Sequence, residues 1–257
     1  MTSRNANEMN IWFSRPRLNP NAEMRLFCFP YAGGSANIFR FWPDVMMRSV
    51  EICAANLPGR LARMMEAPFT RLTPLVHEMA RVILPWTDKP FAFFGHSMGA
   101  LISFELARRL RTIGASLPAR LFISGRRAPH LPDPDPHRHT YPDHLFMEEL
   151  GRLNGTPPEV MTNPELMQLM LPLLRADFAM CETFEYRPEP SLPCPLTVFG
   201  GLQDPEVPPE SLEAWRQHTS QSFRVCLLPG DHFFLNSARN SLLMVIAQEL
   251  SELEREV

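Results

Sequence analysis

The strongest chemical signal in the sequence is the run Gly95-His96-Ser97-Met98-Gly99. Its spacing is G-x-S-x-G. It sits between an apolar run over 90–95, which predicts a strand, and a pattern over 98–111 that predicts a helix. A serine on so tight a turn projects its hydroxyl at the edge of a sheet. The flanking glycines let strand and helix approach, and the helix N-terminus favours developing negative charge. Ser97 is therefore the candidate nucleophile.

A hydroxyl attacks a carbonyl only when a base takes its proton. Of eight histidines, His232 in LPGDHFF has the right place, after the apolar run 223–228 and before the last helical pattern. His77 falls on a predicted helix and His218 near a helix end, where surface or packing roles are expected. His96 adjoins the serine but is expected to point away from it. The imidazole needs an acid to fix its tautomer. Asp204, in VFGGLQDPEVP, follows the predicted strand 195–200 and completes the chain order Ser97, Asp204, His232. Asp231 is the competitor. It reads as a turn residue, since a direct neighbour rarely reaches Nδ1 of the histidine beside it.

Two backbone donors are needed for the oxyanion. The first expected donor is the N–H of Met98. The second is sought in the glycine turn Phe29-Pro30-Tyr31-Ala32-Gly33-Gly34, with Ala32 as the candidate. The histidines 130, 137, 139 and 144 lie near Asp133, Asp135 and Asp143. The prolines between them favour a rigid, extended, solvated segment over a metal site, and no metal or cofactor is expected.

The elements that position these residues alternate. Strands are predicted at 24–30, 50–57, 90–95 and 120–124. Helices are predicted at about 36–48, after Thr73, and from 98. The strands are continuous apolar runs, as in a parallel sheet covered on both faces. The alternation stops near 128 and resumes at 195 with strands at 195–200 and 223–228 and helices at 208–218 and 239–254. The interruption, 129–194, holds about half of the 27 prolines and two helical stretches, 142–153 and 164–185. The expected architecture is α/β: a mostly parallel central sheet with helices on both faces and an inserted helical lid, all in one domain spanning 1–257.

Composition narrows the partners. A net charge of -3 argues against nucleic acid. Five scattered cysteines without a C-x-x-C pair argue against disulfides or zinc. Cys28, Cys53 and Cys226 lie in apolar runs and read as small buried hydrophobes. The N-terminal segment offers only Ile11 to Phe13 as an apolar cluster, short of the ~7–15 residues of a secretory core. No run approaches the ~20 apolar residues of a membrane span. A cytoplasmic protein without a membrane partner is expected.

FCFPYAGGSA, LPGR, FFGHSMGA, LMLPLLRADFAMCETFEY, VFGGLQDPEVP and LPGDHFFL, taken in order, resemble the type II thioesterases of nonribosomal peptide and polyketide synthesis. These are editing hydrolases of the α/β-hydrolase superfamily. The resemblance runs from about residue 12 to the end. It implies a triad of Ser97, Asp204 and His232, oxyanion donors Met98 and Ala32, and a helical lid at 129–194. It also implies a transient partner, the acyl-phosphopantetheinyl carrier domain; a monomer is the default expectation for the chain. The leucines and methionines of 164–180 are then candidates for the acyl pocket. Arg60 of LPGR reads as a solvated loop residue, with the pantetheine phosphate as its other candidate partner. Medium-chain fatty-acyl thioesterases and small-molecule carboxylesterases share the pattern and stand as the alternatives.

Overall fold

Seven strands form one sheet in the computed structural model, which describes residues 3–132, 137–155 and 158–256. The chain opens with α1 (Ser3–Trp12) and β1 (Phe13–Ser14), then enters β2 (Met24–Phe29) and β3 (Val50–Ala55). Next come α2 (Leu72–Ile83), β4 (Phe91–His96), α3 (Met98–Thr112) and β5 (Arg120–Ser124). The interruption holds α4 (Asp143–Leu153), α5 (Pro158–Met161) and α6 (Pro164–Glu182). The sheet then resumes with β6 (Leu196–Gly201), α7 (Pro209–Glu213), β7 (Phe223–Leu228), α8 (Phe234–Ser237) and α9 (Arg239–Glu256).

The strand order is β1-β3-β2-β4-β5-β6-β7, and every pair is parallel except β1 with β3. From β2 the chain winds one way to β3, then crosses back to β4 on the other side. The loops after β2 and β4 therefore diverge at a topological switch point, where open parallel sheets leave a crevice. Register brings them together, because Phe29 pairs with Gly95 at the ends of the two strands.

Both faces of the sheet are covered, which explains the unbroken apolar runs. Phe27, Phe29 and Phe93 face α2 and α3, while Leu26, Cys28, Phe94 and Phe122 face α8 and α9. The edge strand β7 is less enclosed. Cys226 is only half-buried there, contrary to expectation, whereas Cys28, Cys53 and Cys194 are buried. Burial pushes the Cys194 thiol up to about 12, so it packs as a hydrophobe.

Two helices expected from periodicity are replaced by tighter turns. The stretch 36–48 forms two 3₁₀ turns, Ala36–Phe39 and Trp42–Asp44. Pro43 has no N–H to continue a ladder. Of 208–218, only Pro209–Glu213 is α-helical, and Ala214–His218 is a 3₁₀ turn. The helix α1 and strand β1 lie in an N-terminal segment whose pattern is too polar and too short to predict them. Among the described residues, no helix is long and apolar enough to cross a membrane.

His218 is buried in this packing. It lies against Phe104, Trp215 and Tyr186 and shares a 2.9 Å hydrogen bond with His130. Burial first, then His130 and Arg108, hold its pKa down to about 4. An unfolded histidine titrates near ~6.5. Between those values the unfolded chain takes up a proton that the native protein refuses. This stability is therefore complete above about 6.5 and is lost as pH falls toward about 4. His218→Gln should flatten the acid decline of the urea midpoint across that window. Parallel declines in variant and parent would show that His218 is not its source.

Candidate active site

Ser97 joins β4 to α3 with φ 53° and ψ −111°, a conformation that costs a non-glycine residue roughly 1–3 kcal/mol. The neighbours show why the turn is held. A Cβ on Gly95 would lie 2.0 Å from the Gly99 carbonyl oxygen, and a Cβ on Gly99 would lie 2.0 Å from that of Phe29. Only glycine permits the crossing of β4, α3 and the end of β2. The Ser97 N–H donates to the Ser124 carbonyl at 2.8 Å, which ties the turn to β5.

Asp204 and His232 come from the next two strand ends. Their loops are stitched together: Gln203 N–H donates to the Gly230 carbonyl at 3.0 Å, and the Gln203 side chain accepts from Gly230 N–H at 2.7 Å. A Cβ on Gly201 would meet the Asp231 carbonyl oxygen at 2.4 Å, so this approach also needs glycine. The result is a 2.8 Å hydrogen bond between His232 Nδ1 and Asp204 Oδ2. The other oxygen, Oδ1, accepts the Glu206 N–H at 2.9 Å. The Asp204 side chain is fully buried and His232 nearly so. Asp231 instead accepts the Phe233 N–H at 2.9 Å, the local turn its position suggested.

Ser97, His232 and Ala32 line one cavity. Met98 opens α3, where first-turn amides lack a carbonyl within the helix. Among the described residues, the Ala32 N–H has no hydrogen-bond acceptor. The cavity wall opposite includes Leu150 and Leu153 of α4 and Leu174 and Phe178 of α6. No methionine of 164–180 reaches it. Met167 and Met170 pack instead in the small core between α4 and α6. The expectation for the methionines is corrected: Met167 and Met170 pack with residues of α4 and α5, and Met180 packs in the main core.

His96, expected to point away from the serine, is not among the residues that line the cavity; its ring is fully buried, 5.2 Å from that of His232, with Nδ1 2.8 Å from Ser124 Oγ. Burial, reinforced by the neighbouring His232, holds it well below the usual histidine range, so it is a neutral wall for the His232 ring. The rings of His137 and His139 lie 5.5 Å apart. His77 is exposed on α2, His130 pairs with His218, and His139 Nδ1 bonds Glu182 at 2.5 Å. Asp143 pairs with Arg175 at 2.6 Å. Asp133 and Asp135 lie outside the described residues.

Arg60 is neither solvated nor turned to the cavity. It is 5% exposed and paired with Asp177, which is 0% exposed, at 2.7 Å. Nothing in the local sequence announced this pairing, since 117 residues separate the partners.

A largely parallel sheet with its serine on a strained turn before a helix, and its histidine and acid on the strand ends beyond, has the α/β-hydrolase fold. Residues 24–250 match the family described as "Thioesterase domain", and the chain belongs to that family. It is 48% identical over 242 residues to the protein named linear gramicidin dehydrogenase LgrE of Brevibacillus parabrevis, covering 93% of this chain and 92% of that one. Its fold is similar to that of RedJ, a thioesterase from the prodiginine biosynthetic pathway of Streptomyces coelicolor. That match has a TM-score of 0.86 and 40% identity, over 92% of this chain and 94% of RedJ. It is also similar to the type II thioesterase BorB from the borrelidin biosynthetic cluster. There the TM-score is 0.85 and the identity 36%, over 93% and 98% of the two chains.

Proposed function

We propose that this thioesterase hydrolyses acyl groups held as thioesters on the phosphopantetheine arm of carrier domains, clearing stalled or misprimed synthases. The observation that carries the reading is the His232–Asp204 hydrogen bond at the cavity that Ser97 and Ala32 share. Ser97 Oγ attacks the thioester carbonyl carbon while His232 Nε2 takes its proton. The oxyanion is held by the N–H groups of Met98 and Ala32. The C–S bond then breaks, the sulfur leaves with the proton from His232, and an acyl ester remains on Ser97. Water attacks that ester, again giving its proton to His232, and the acid departs with Ser97 restored.

The leucines and Phe178 on the cavity wall supply apolar contact for an acyl chain, and 129–194 serves as a lid on a single hydrolase domain. The relatives named for prodiginine and borrelidin synthesis support a carrier-bound substrate. The name of LgrE denotes a dehydrogenase, but the turn after β2 here runs Pro30-Tyr31-Ala32-Gly33-Gly34, not the G-x-G-x-x-G of a dinucleotide site. Medium-chain fatty-acyl hydrolysis has weaker support, from more distant relatives. Free thiols at all five cysteines fit a reducing compartment such as the cytoplasm.

The test is a comparison at matched acyl group. With a short acyl chain on a carrier domain, kcat/KM should exceed that for the p-nitrophenyl ester by at least about tenfold, an increment of ~1.4 kcal/mol from carrier contacts. The reverse order would make the protein a small-molecule esterase.

A further inference from the structure

The buried pair Arg60–Asp177 has a third partner, and it lies in the turn assigned to the oxyanion. Asp177 Oδ2 accepts the Gly33 N–H at 2.7 Å and Arg60 Nη1 at 3.0 Å, and Oδ1 accepts Arg60 Nη2 at 2.7 Å. Arg60 Nη1 also donates to the Gly34 carbonyl at 2.8 Å. Both the N–H of Gly33 and the C=O of Gly34 are thus held by one ion pair. Gly33 has φ +75°, and a Cβ there would lie 2.5 Å from Leu174 Cδ2, so α6 also closes on the turn by packing.

We infer that Asp177 and Arg60 are positioning residues that set the oxyanion hole, with Asp177 linking that hole to the seating of α6. The Gly33 N–H shares a rigid peptide plane with the Ala32 carbonyl, so fixing it leaves one φ/ψ pair between the anchor and the Ala32 N–H. An oxyanion donor works only when it is aimed before charge develops. An unpaired carboxylate so close would oppose a developing oxyanion. Arg60 neutralises it, and Oδ2 accepts the Gly33 N–H alongside Arg60 Nη1. This deepens the proposed function and rests on the assignment of Ala32 as a donor.

The test uses the full chain and a p-nitrophenyl ester, which requires the serine chemistry but no carrier domain. An alkyl trifluoromethyl ketone serves as the probe, since it forms a tetrahedral oxyanion on the serine. Asp177→Asn should lower kcat by about 10–100-fold, less than the ~10²–10³ of a donor removed outright. KM should stay within about twofold, and the ketone's inhibition constant should rise by the same factor as kcat falls. A purely structural role would lower the melting temperature without this split. Because a half-broken buried pair can unfold a protein, Arg60→Met with Asp177→Leu is the second variant; it removes both charges together. It should fold and show the same split.

Wild-type kcat and ketone affinity in either folded variant would overturn the inference, as would unfolding of both. Failure of the parent on carrier thioesters, with the split intact on the ester, would count against the substrate class alone. A parent that turns over neither substrate would overturn both.

Discussion

Ser97→Ala should lower acyl release by about 10⁴–10⁶-fold, with the protein folded and its melting temperature near that of the parent. The size follows from the loss of the covalent route. Without Oγ no acyl ester forms, and water alone must attack a thioester held against the oxyanion donors. Such residual catalysis is typically ~10³–10⁴ over water, far below a working serine site. The fold should tolerate the change. The Ser97 contact that ties the turn to β5 is made by its N–H, which alanine keeps, and the strained φ of 53° is imposed by the crossing at Gly95 and Gly99. Single-turnover release from an acylated carrier checks it. A loss under tenfold would remove Ser97 from the mechanism.

Asp204→Asn should cost about 10³–10⁴ in kcat. The reason lies in both of its oxygens. Oδ1 accepts the Glu206 N–H and Oδ2 accepts from His232 Nδ1. An asparagine must put its single oxygen toward the Glu206 N–H or leave that donor unpaired. Its NH₂ then faces His232 Nδ1, which becomes the acceptor, and the ring proton moves to Nε2. In that tautomer His232 has no lone pair for the Ser97 hydroxyl. The loss of negative charge also removes support for the imidazolium. Asp231→Asn is the control. Its carboxylate caps the Phe233 N–H, a role an asparagine side chain fills, so its kcat should change less than about threefold. Comparable losses in the two variants would leave the acid unassigned. A larger loss at Asp231 would reverse the assignment.

What could be read from the sequence followed the range of the interactions involved. The strands at 120–124 and 223–228 have the bounds expected of them, because a buried parallel strand is a local run of apolar residues. The elbow and the two later loops were legible for the same reason, each being a short motif at a strand end. Proline chemistry overrode periodicity in 36–48, where an amphipathic pattern ignored what Pro43 does to a helix. Two parts of the site had no local signal at all. The Arg60–Asp177 pair joins a loop after β3 to a helix over a hundred residues later, and only the fold brings them together. Each residue alone reads as a surface charge. Nor does any local signal place the His96 ring against that of His232. The cavity wall was half legible. A leucine- and methionine-rich helix was evident, but not which of its faces lines the cavity.

The acyl ester at Ser97 is the intermediate on which the proposed mechanism turns. A carrier domain loaded with a short acyl thioester would be mixed with the protein, quenched in acid within a turnover, and the digest weighed by mass spectrometry. The acyl mass is expected on the peptide containing Ser97, and none on that peptide in Ser97→Ala. An acyl mass on another residue, or steady hydrolysis with no acyl mass on Ser97 at any quench time, would contradict the mechanism.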